Sequence, residues 1–230
     1  MKELICIILA LAALPVSAQE GKTAALKSSH NVVKVSAGPS LVVTNIYMPV
    51  YQIQSTTNEI LLRGYDKSWG LGGADLSVTF QHVWRPGLGI GVDYVFSKTW
   101  LTKDFGYFCQ HYIGPNIVYA YRGWRHWGVE VSVGVGYVRY REKSSPDIRG
   151  SYWNLAPTAA KSLEQVSTMN ALGFKLSTGV EYRFTRSWGI AFELGMFTTK
   201  FQENRREMLD DTTDDVIGRI NCQLGARYYF

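Results

Sequence analysis

The sequence predicts an all-β protein: an up-and-down, antiparallel barrel of eight strands that crosses a membrane. Three observations carry this. Eight segments alternate an apolar face with a polar or glycine-rich one at a period of two, the side-chain period of a strand. The connections between them are alternately very short and long, as in a barrel whose two ends face different compartments. Trp and Phe flank the short connections, where an aromatic girdle sits at the edge of a bilayer.

The chain opens with Met1-Lys2-Glu3, an apolar run from Leu4 to Leu14, and Val16-Ser17-Ala18, in which Val16 and Ala18 hold the small-residue positions of a signal-peptidase site. Residues 1–18 are therefore expected to be an export signal and residues 19–230 the barrel. The run is shorter than the roughly 20 residues a spanning helix needs, and Cys6 precedes most of it instead of following it, which argues against a lipoprotein.

The first strand sets Val33, Val35, Ala37, Leu41 and Val43 against Lys34, Ser36, Gly38 and Ser40. Pro39 removes a ladder hydrogen bond, so a bulge is expected there. The second sets Ala74, Leu76, Val78 and Phe80 against Asp75, Ser77, Thr79 and Gln81, and the third sets Leu88, Ile90, Val92, Tyr94 and Phe96 against Gly89, Gly91, Asp93 and Ser97. In the fourth, Ile113, Ile117, Tyr119 and Tyr121 share a face with Pro115, a second expected bulge. The fifth runs from Trp127 to Tyr137, with a valine face opposite Gly128, Glu130, Ser132, Gly134 and Gly136. The sixth, Leu172 to Phe184, places Lys175, Glu181 and Arg183 on its polar face; the seventh, Trp188 to Phe197, places Glu193 there. The eighth, Arg219 to Phe230, sets Ile220, Cys222, Leu224, Ala226, Tyr228 and Phe230 against Arg219, Asn221, Gln223, Gly225, Arg227 and Tyr229.

Residues 85–87, 122–126 and 185–187 form the tight turns, and 49–71, 97–106, 142–168 and 201–215 the long, polar connections. Tight turns are periplasmic in outer-membrane barrels, so Trp84, Trp127, Phe184, Trp188 and Phe230 are expected to form the periplasmic girdle. A further hairpin within 49–71 or 142–168 would make ten strands and a wider lumen. A secreted β-sandwich would alternate in the same way, but its apolar face needs a second sheet as cover.

Composition excludes some functions. A hydrophobic content of 46% and a mean hydropathy of −0.08 suit half-apolar strands, and a dispersed net charge of +5 gives no nucleic-acid footprint. Cys109 and Cys222, both on the lipid face, are too few for a disulfide scaffold. An eight-stranded barrel is just wide enough to be filled by its own side chains. Its inward set holds Lys34, Lys175, Arg183, Arg219 and Arg227 against Asp75, Asp93, Glu130, Glu181 and Glu193. Unpaired charges cost several kcal/mol in a dry interior, so these ten are expected to form a charge network. A salt-bridge plug is expected in the periplasmic half around Glu130, Glu181, Glu193, Arg183 and Arg227.

Catalysis, metals and cofactors are not expected. Of His30, His82, His111 and His126 only His111 points towards the outer rim, beside Tyr112 and two residues from Cys109, and no Ser with an acid partner lies near it. The carboxylates from Asp210 to Asp215 lack the Gly and distal Glu of a calcium loop. Arg141, Lys143 and Arg149 in the third long connection suit the phosphates of lipopolysaccharide.

With its export signal, amphipathic strands, girdle aromatics and closing Tyr228-Tyr229-Phe230, the whole mature chain resembles the small outer-membrane β-barrel proteins of Gram-negative bacteria, the OmpA/OmpX type. The resemblance implies that Leu224, Ala226, Tyr228 and Phe230 are the signal read by the outer-membrane assembly machinery. It implies residence in the bacterial outer membrane, contact with its lipid and lipopolysaccharide, and a surface partner protein for the outer loops. This fold serves adhesion, envelope integrity, lipid modification and narrow transport alike. The expected function is a non-catalytic barrel with a plugged lumen that presents its outer loops for envelope integrity, adhesion or partner binding. The alternatives are a lipid-A-modifying enzyme and a narrow transporter of small solutes.

Overall fold

The computed structural model describes residues 29–44, 46–53, 60–68, 70–101, 106–122, 126–144, 147–149, 165–201 and 216–230. The expected export signal, 1–18, lies outside them. The described strands are β1 (His30–Val42), β2 (Ile46–Ile53), β3 (Ile60–Ser68), β4 (Gly72–Val83), β5 (Leu88–Trp100), β6 (Gly106–Tyr121), β7 (Trp127–Ser144), β8 (Asp147–Arg149), β9 (Gln165–Arg183), β10 (Trp188–Phe201) and β11 (Val216–Tyr229).

Eight of them close a barrel in the order β1-β11-β10-β9-β7-β6-β5-β4, with β4 returning to β1. Every barrel pair is antiparallel. The seam sets Val32 opposite Tyr229 and Lys34 opposite Arg227. At its end, Asn31 N–H donates to the Phe230 carbonyl at 2.9 Å and Phe230 N–H to the Asn31 carbonyl at 3.1 Å. A sheet closed this way leaves no unpaired edge.

The tight connections lie at one end of the barrel, here the turn end. At Arg85-Pro86-Gly87, Gly87 N–H donates to the Trp84 carbonyl at 2.9 Å. Gly87 has φ of 91°, which a residue with a Cβ rarely adopts. At 185–187, Thr185 Oγ1 accepts from Trp188 N–H at 2.9 Å.

The other end is the loop end, where two sequence expectations need correction. The segment within 49–71 does form a hairpin, β2 with β3, but it stays out of the wall. It builds a separate three-stranded sheet, β3-β2-β8, in which β2 and β8 run parallel. The reason lies in β1 and β4, which pair with each other from His30↔Val83 to Leu41↔Gly72 and leave no gap for an inserted hairpin. The barrel therefore has eight strands, not ten. The bulges expected at Pro39 and Pro115 are absent, because the registers on either side of each proline continue unshifted. A residue in an antiparallel strand turns its N–H and C=O to one neighbour. Each proline thus drops out of one ladder and stays paired in the other, with Ala74 and Val92 respectively.

The wall is also taller than expected on one side, since β6 begins at Gly106, β7 continues to Ser144 and β9 begins at Gln165. At mid-wall, Gly114 and Gly136 let β6 and β7 approach. A Cβ on Gly114 would meet Gly136 Cα at 2.5 Å and the Tyr112 hydroxyl at 2.9 Å.

The inward face holds two apolar cores. One, at the turn end, is Val32, Val83, Val118, Ala120 and Tyr229; the other, at the loop end, includes Phe108, Tyr112, Val138, Tyr140, Phe197 and Ile217. The outward face is a belt of exposed apolar side chains, with Leu224 at 66%, Ile117 at 61% and Leu172 at 56% exposure. A belt of this kind is unfavourable in water and favourable in lipid.

Candidate functional site

Strand parity decides what the lumen contains, because alternate residues of every strand point inward. In the turn half, Arg227 on β11 is the hub. Its Nη1 donates to Glu130 Oε2 at 2.9 Å and Glu181 Oε2 at 2.7 Å, and its Nη2 to Glu193 Oε1 at 2.6 Å. Lys34 Nζ pairs with Glu130 Oε1. Arg122 Nε donates to Glu181 Oε1 at 3.0 Å, and its guanidinium lies 5.0 Å from the centre of the Tyr229 ring. The Tyr229 hydroxyl donates to Glu181 Oε2. Glu130, Glu181 and Glu193 thus share the charges of Lys34, Arg122 and Arg227 across five strands and a turn.

A second tier follows at mid-barrel. Lys175 Nζ pairs with Asp93 Oδ2 at 3.0 Å, and the Thr79 hydroxyl donates to Asp93 Oδ1 at 2.5 Å. Above it, Arg219 donates to Asp75 at 2.8 Å and to Thr99 at 2.7 Å, and Asn221 donates to Asp75 at 2.8 Å. Over these lie the rings of the loop-end core, with Phe108 and Tyr140 centred 5.3 Å apart and Tyr112 and Phe197 also 5.3 Å apart.

All ten residues expected in the lumen are placed on the inward face: Lys34, Asp75, Asp93, Glu130, Lys175, Glu181, Arg183, Glu193, Arg219 and Arg227. Of the five expected in the turn half, Glu130, Glu181, Glu193 and Arg227 meet, while Arg183 sits at the margin with its Nε 3.6 Å from Glu181 Oε1. Sequence reasoning missed Arg122, assigned to a turn, and Glu142, assigned to a loop; both are buried, and the Tyr140 hydroxyl donates to Glu142 at 2.6 Å. The signal was parity, since both are even-numbered like the inward residues of their strands. With them, six cations (Lys34, Arg122, Lys175, Arg183, Arg219, Arg227) face six carboxylates (Asp75, Asp93, Glu130, Glu142, Glu181, Glu193) among the described residues.

The histidines are dispersed. His111 faces outward with its Nδ1 2.9 Å from the Tyr94 hydroxyl; His82 Nδ1 lies 2.9 Å from Asn31 Oδ1; His126 Nδ1 donates to the Arg183 carbonyl at 3.1 Å. Among the described residues no three His, Cys, Asp or Glu side chains are grouped for a metal ion. Residues 210–215 lie outside the described set. Cys109 and Cys222 are free thiols on outward positions.

Trp84, Trp127, Phe184, Trp188 and Phe230 all lie exposed at the turn end. Trp127 packs on Tyr182 at 5.0 Å, Trp188 on Tyr228 at 4.9 Å, and Tyr228 on Phe230 at 5.8 Å. Leu224, Ala226, Tyr228 and Phe230 are consecutive outward residues along the end of β11. A closed antiparallel barrel with an apolar outside, a polar inside and an aromatic girdle is the outer-membrane type, and this chain is one by its ladder and its surface.

No family model matches the sequence, and no curated protein matches it. Among solved structures, it is similar to Neisserial surface protein A at 15% identity, covering 87% of this chain and 97% of that one, with a TM-score of 0.49. It is similar to Ail, the attachment invasion locus protein of Yersinia pestis, at 12% identity, covering 89% and 100%, with a TM-score of 0.46. It is also similar to the outer membrane enzyme PagL at 11% identity, covering 84% and 97%, with a TM-score of 0.41. At these identities and scores the likenesses carry no argument about what the chain does.

Proposed function

We propose that this chain acts without catalysis, as a plugged barrel that fixes its loop-end structure at the cell surface. The turn end then faces the periplasm and the loop end the exterior, following the rule that outer-membrane barrels keep their short turns inside. The filled lumen carries this reading. Its ion pairs are nearly dry, with the side chains of Arg227 and Glu181 both 1% exposed, and the aromatic core of Phe108, Tyr112, Tyr140 and Phe197 lies above them. A solute path would need these charges to separate, at several kcal/mol each. The β3-β2-β8 sheet supports the presenting role, because it joins two different long connections into one structure at the loop end.

The partners we propose are the surrounding lipopolysaccharide, a protein at the cell surface that meets the loop-end sheet, and, during biogenesis, the assembly machinery reading Leu224, Ala226, Tyr228 and Phe230. The test is planar-bilayer conductance of the refolded protein. The wild type is expected to stay closed, and Glu193→Ala or Arg227→Ala to leak. Steady conductance in the wild type would overturn the plug and favour the transporter. The enzymatic alternative is tested by the mass of lipid A in cells making the protein, which is expected to stay unchanged.

A further inference from the structure

The geometry points to a binding site for the phosphate-bearing head of a lipid, on the outside of the wall formed by β5, β6, β7 and β9. The registers stack its rows. Tyr94, Ile113 and Tyr137 are cross-strand neighbours in one row; Phe96, His111 and Arg139 in the next; Lys98, Cys109 and Arg141 above; then Tyr107 beside Lys143. Below the first row come Val92 with Pro115, and Val135 with Phe174. Reading towards the loop end, the outer wall passes from aliphatic to aromatic to basic over a few residues. A groove of about 580 Å³ opens across the middle rows, lined by Tyr94, His111, Ile113, Tyr137, Arg139 and Arg141 among others.

The charges here have one sign. Among the described residues, the outward positions of the eight barrel strands carry Lys98, Arg139, Arg141, Lys143 and Lys200, and no Asp or Glu. All five lie towards the loop end, and four of them stand on β5 and β7, with His111 on β6 between them. The described outer wall therefore offers Arg139 and Arg141 no carboxylate. In a bilayer the counter-charge comes from the side, from a lipid head at the interface, where Arg and Lys extend to meet it.

The groove is also held in shape. The Tyr94 hydroxyl meets His111 Nδ1 at 2.9 Å, and the Tyr137 hydroxyl donates to Asn170 Oδ1 at 2.5 Å. The fitting occupant places acyl chains over Val92, Ile113 and Val135, and a phosphate monoester between Arg139, Arg141 and His111. A monoester carries about −1.5 to −2 charges near neutral pH, and a diester only one. This inference rests on the proposed exposure of the loop end to the outer leaflet.

The test uses the full chain folded in micelles, with bound lipid counted by native mass spectrometry. The probes are lipid A, its dephosphorylated counterpart, phosphatidylglycerol and inorganic phosphate. We expect wild type to retain lipid A at least about tenfold more tightly than the dephosphorylated form, a difference of about 1.4 kcal/mol. Phosphatidylglycerol and millimolar phosphate are expected not to displace it. Arg139→Gln with Arg141→Gln should abolish that preference, Arg139→Lys with Arg141→Lys should restore part of it, and Arg85→Gln with Arg186→Gln, at the turn end, should leave it intact. Equal binding of the dephosphorylated lipid, or equal displacement by phosphatidylglycerol, would overturn the site using wild type alone, whatever the variants do. Since Arg139 and Arg141 face away from the lumen, their loss should leave conductance unchanged, which separates failure of this site from failure of the plug.

Discussion

Arg227 is the residue on which the turn half of the lumen depends, because one guanidinium satisfies three carboxylates. Replacing it with Ala would leave Glu130, Glu181 and Glu193 with Lys34, Arg122 and, at the margin, Arg183. Breaking a buried pair from one side costs about 3–5 kcal/mol, so Arg227→Ala should lower the unfolding free energy of the barrel in micelles, read from denaturant melts, by an amount of that order. Glu193→Gln should cost less, about 1 kcal/mol. It loses one partner, and its side chain is the more open member of the pair at 13% exposure. Arg227 was legible in the sequence because its strand alternates cleanly. Arg122 was not, because a tight turn was assumed to end the alternation at Tyr121, whereas the chain keeps its phase for one more residue and swings the guanidinium over Tyr229.

At the scale of elements, the close approach of β6 and β7 rests on Gly114 and Gly136. Gly136→Val should prevent this ladder from closing, seen as loss of the heat-dependent shift in gel mobility that marks a folded barrel. The reason is that a Cβ there would meet Gly114 Cα at 2.7 Å and the Tyr112 ring at 2.8 Å. The β2–β3 hairpin makes the opposite prediction. Replacing 46–68 with a short turn should leave the barrel folded, since β1 and β4 pair without it; loss of the mobility shift would show that the hairpin supports the wall. The barrel strands were readable because lipid and lumen impose opposite polarity on alternate residues. The hairpin was not, because Ile46 to Ile53 is apolar without alternation and interrupted by Pro49, and only pairing partners distant in sequence decide where such a strand goes. For the same reason the pairings among inward charges were not readable: the stagger between strands sets which level each charge reaches.

For the whole molecule, charge on the described barrel strands is partitioned between the two faces of one sheet: balanced acids and bases within, a basic band outside at the loop end and uncharged, mostly apolar side chains on the other outward positions. Stability should accordingly respond to ionic strength less than lipid retention does, because dry pairs are screened weakly and a rim open to solvent strongly. Unfolding midpoints and bound lipid measured across the same salt series would check this. The β1–β11 seam adds a consequence in time. Its ladder joins Lys34 to Arg227, at opposite ends of the described chain, and the main ion cluster straddles it. A length of this polypeptide that lacks either β1 or β11 cannot have both edges paired, so barrel formation waits until β11 has been delivered to β1. Until then two rows of backbone groups stay open to any other strand that can pair with them.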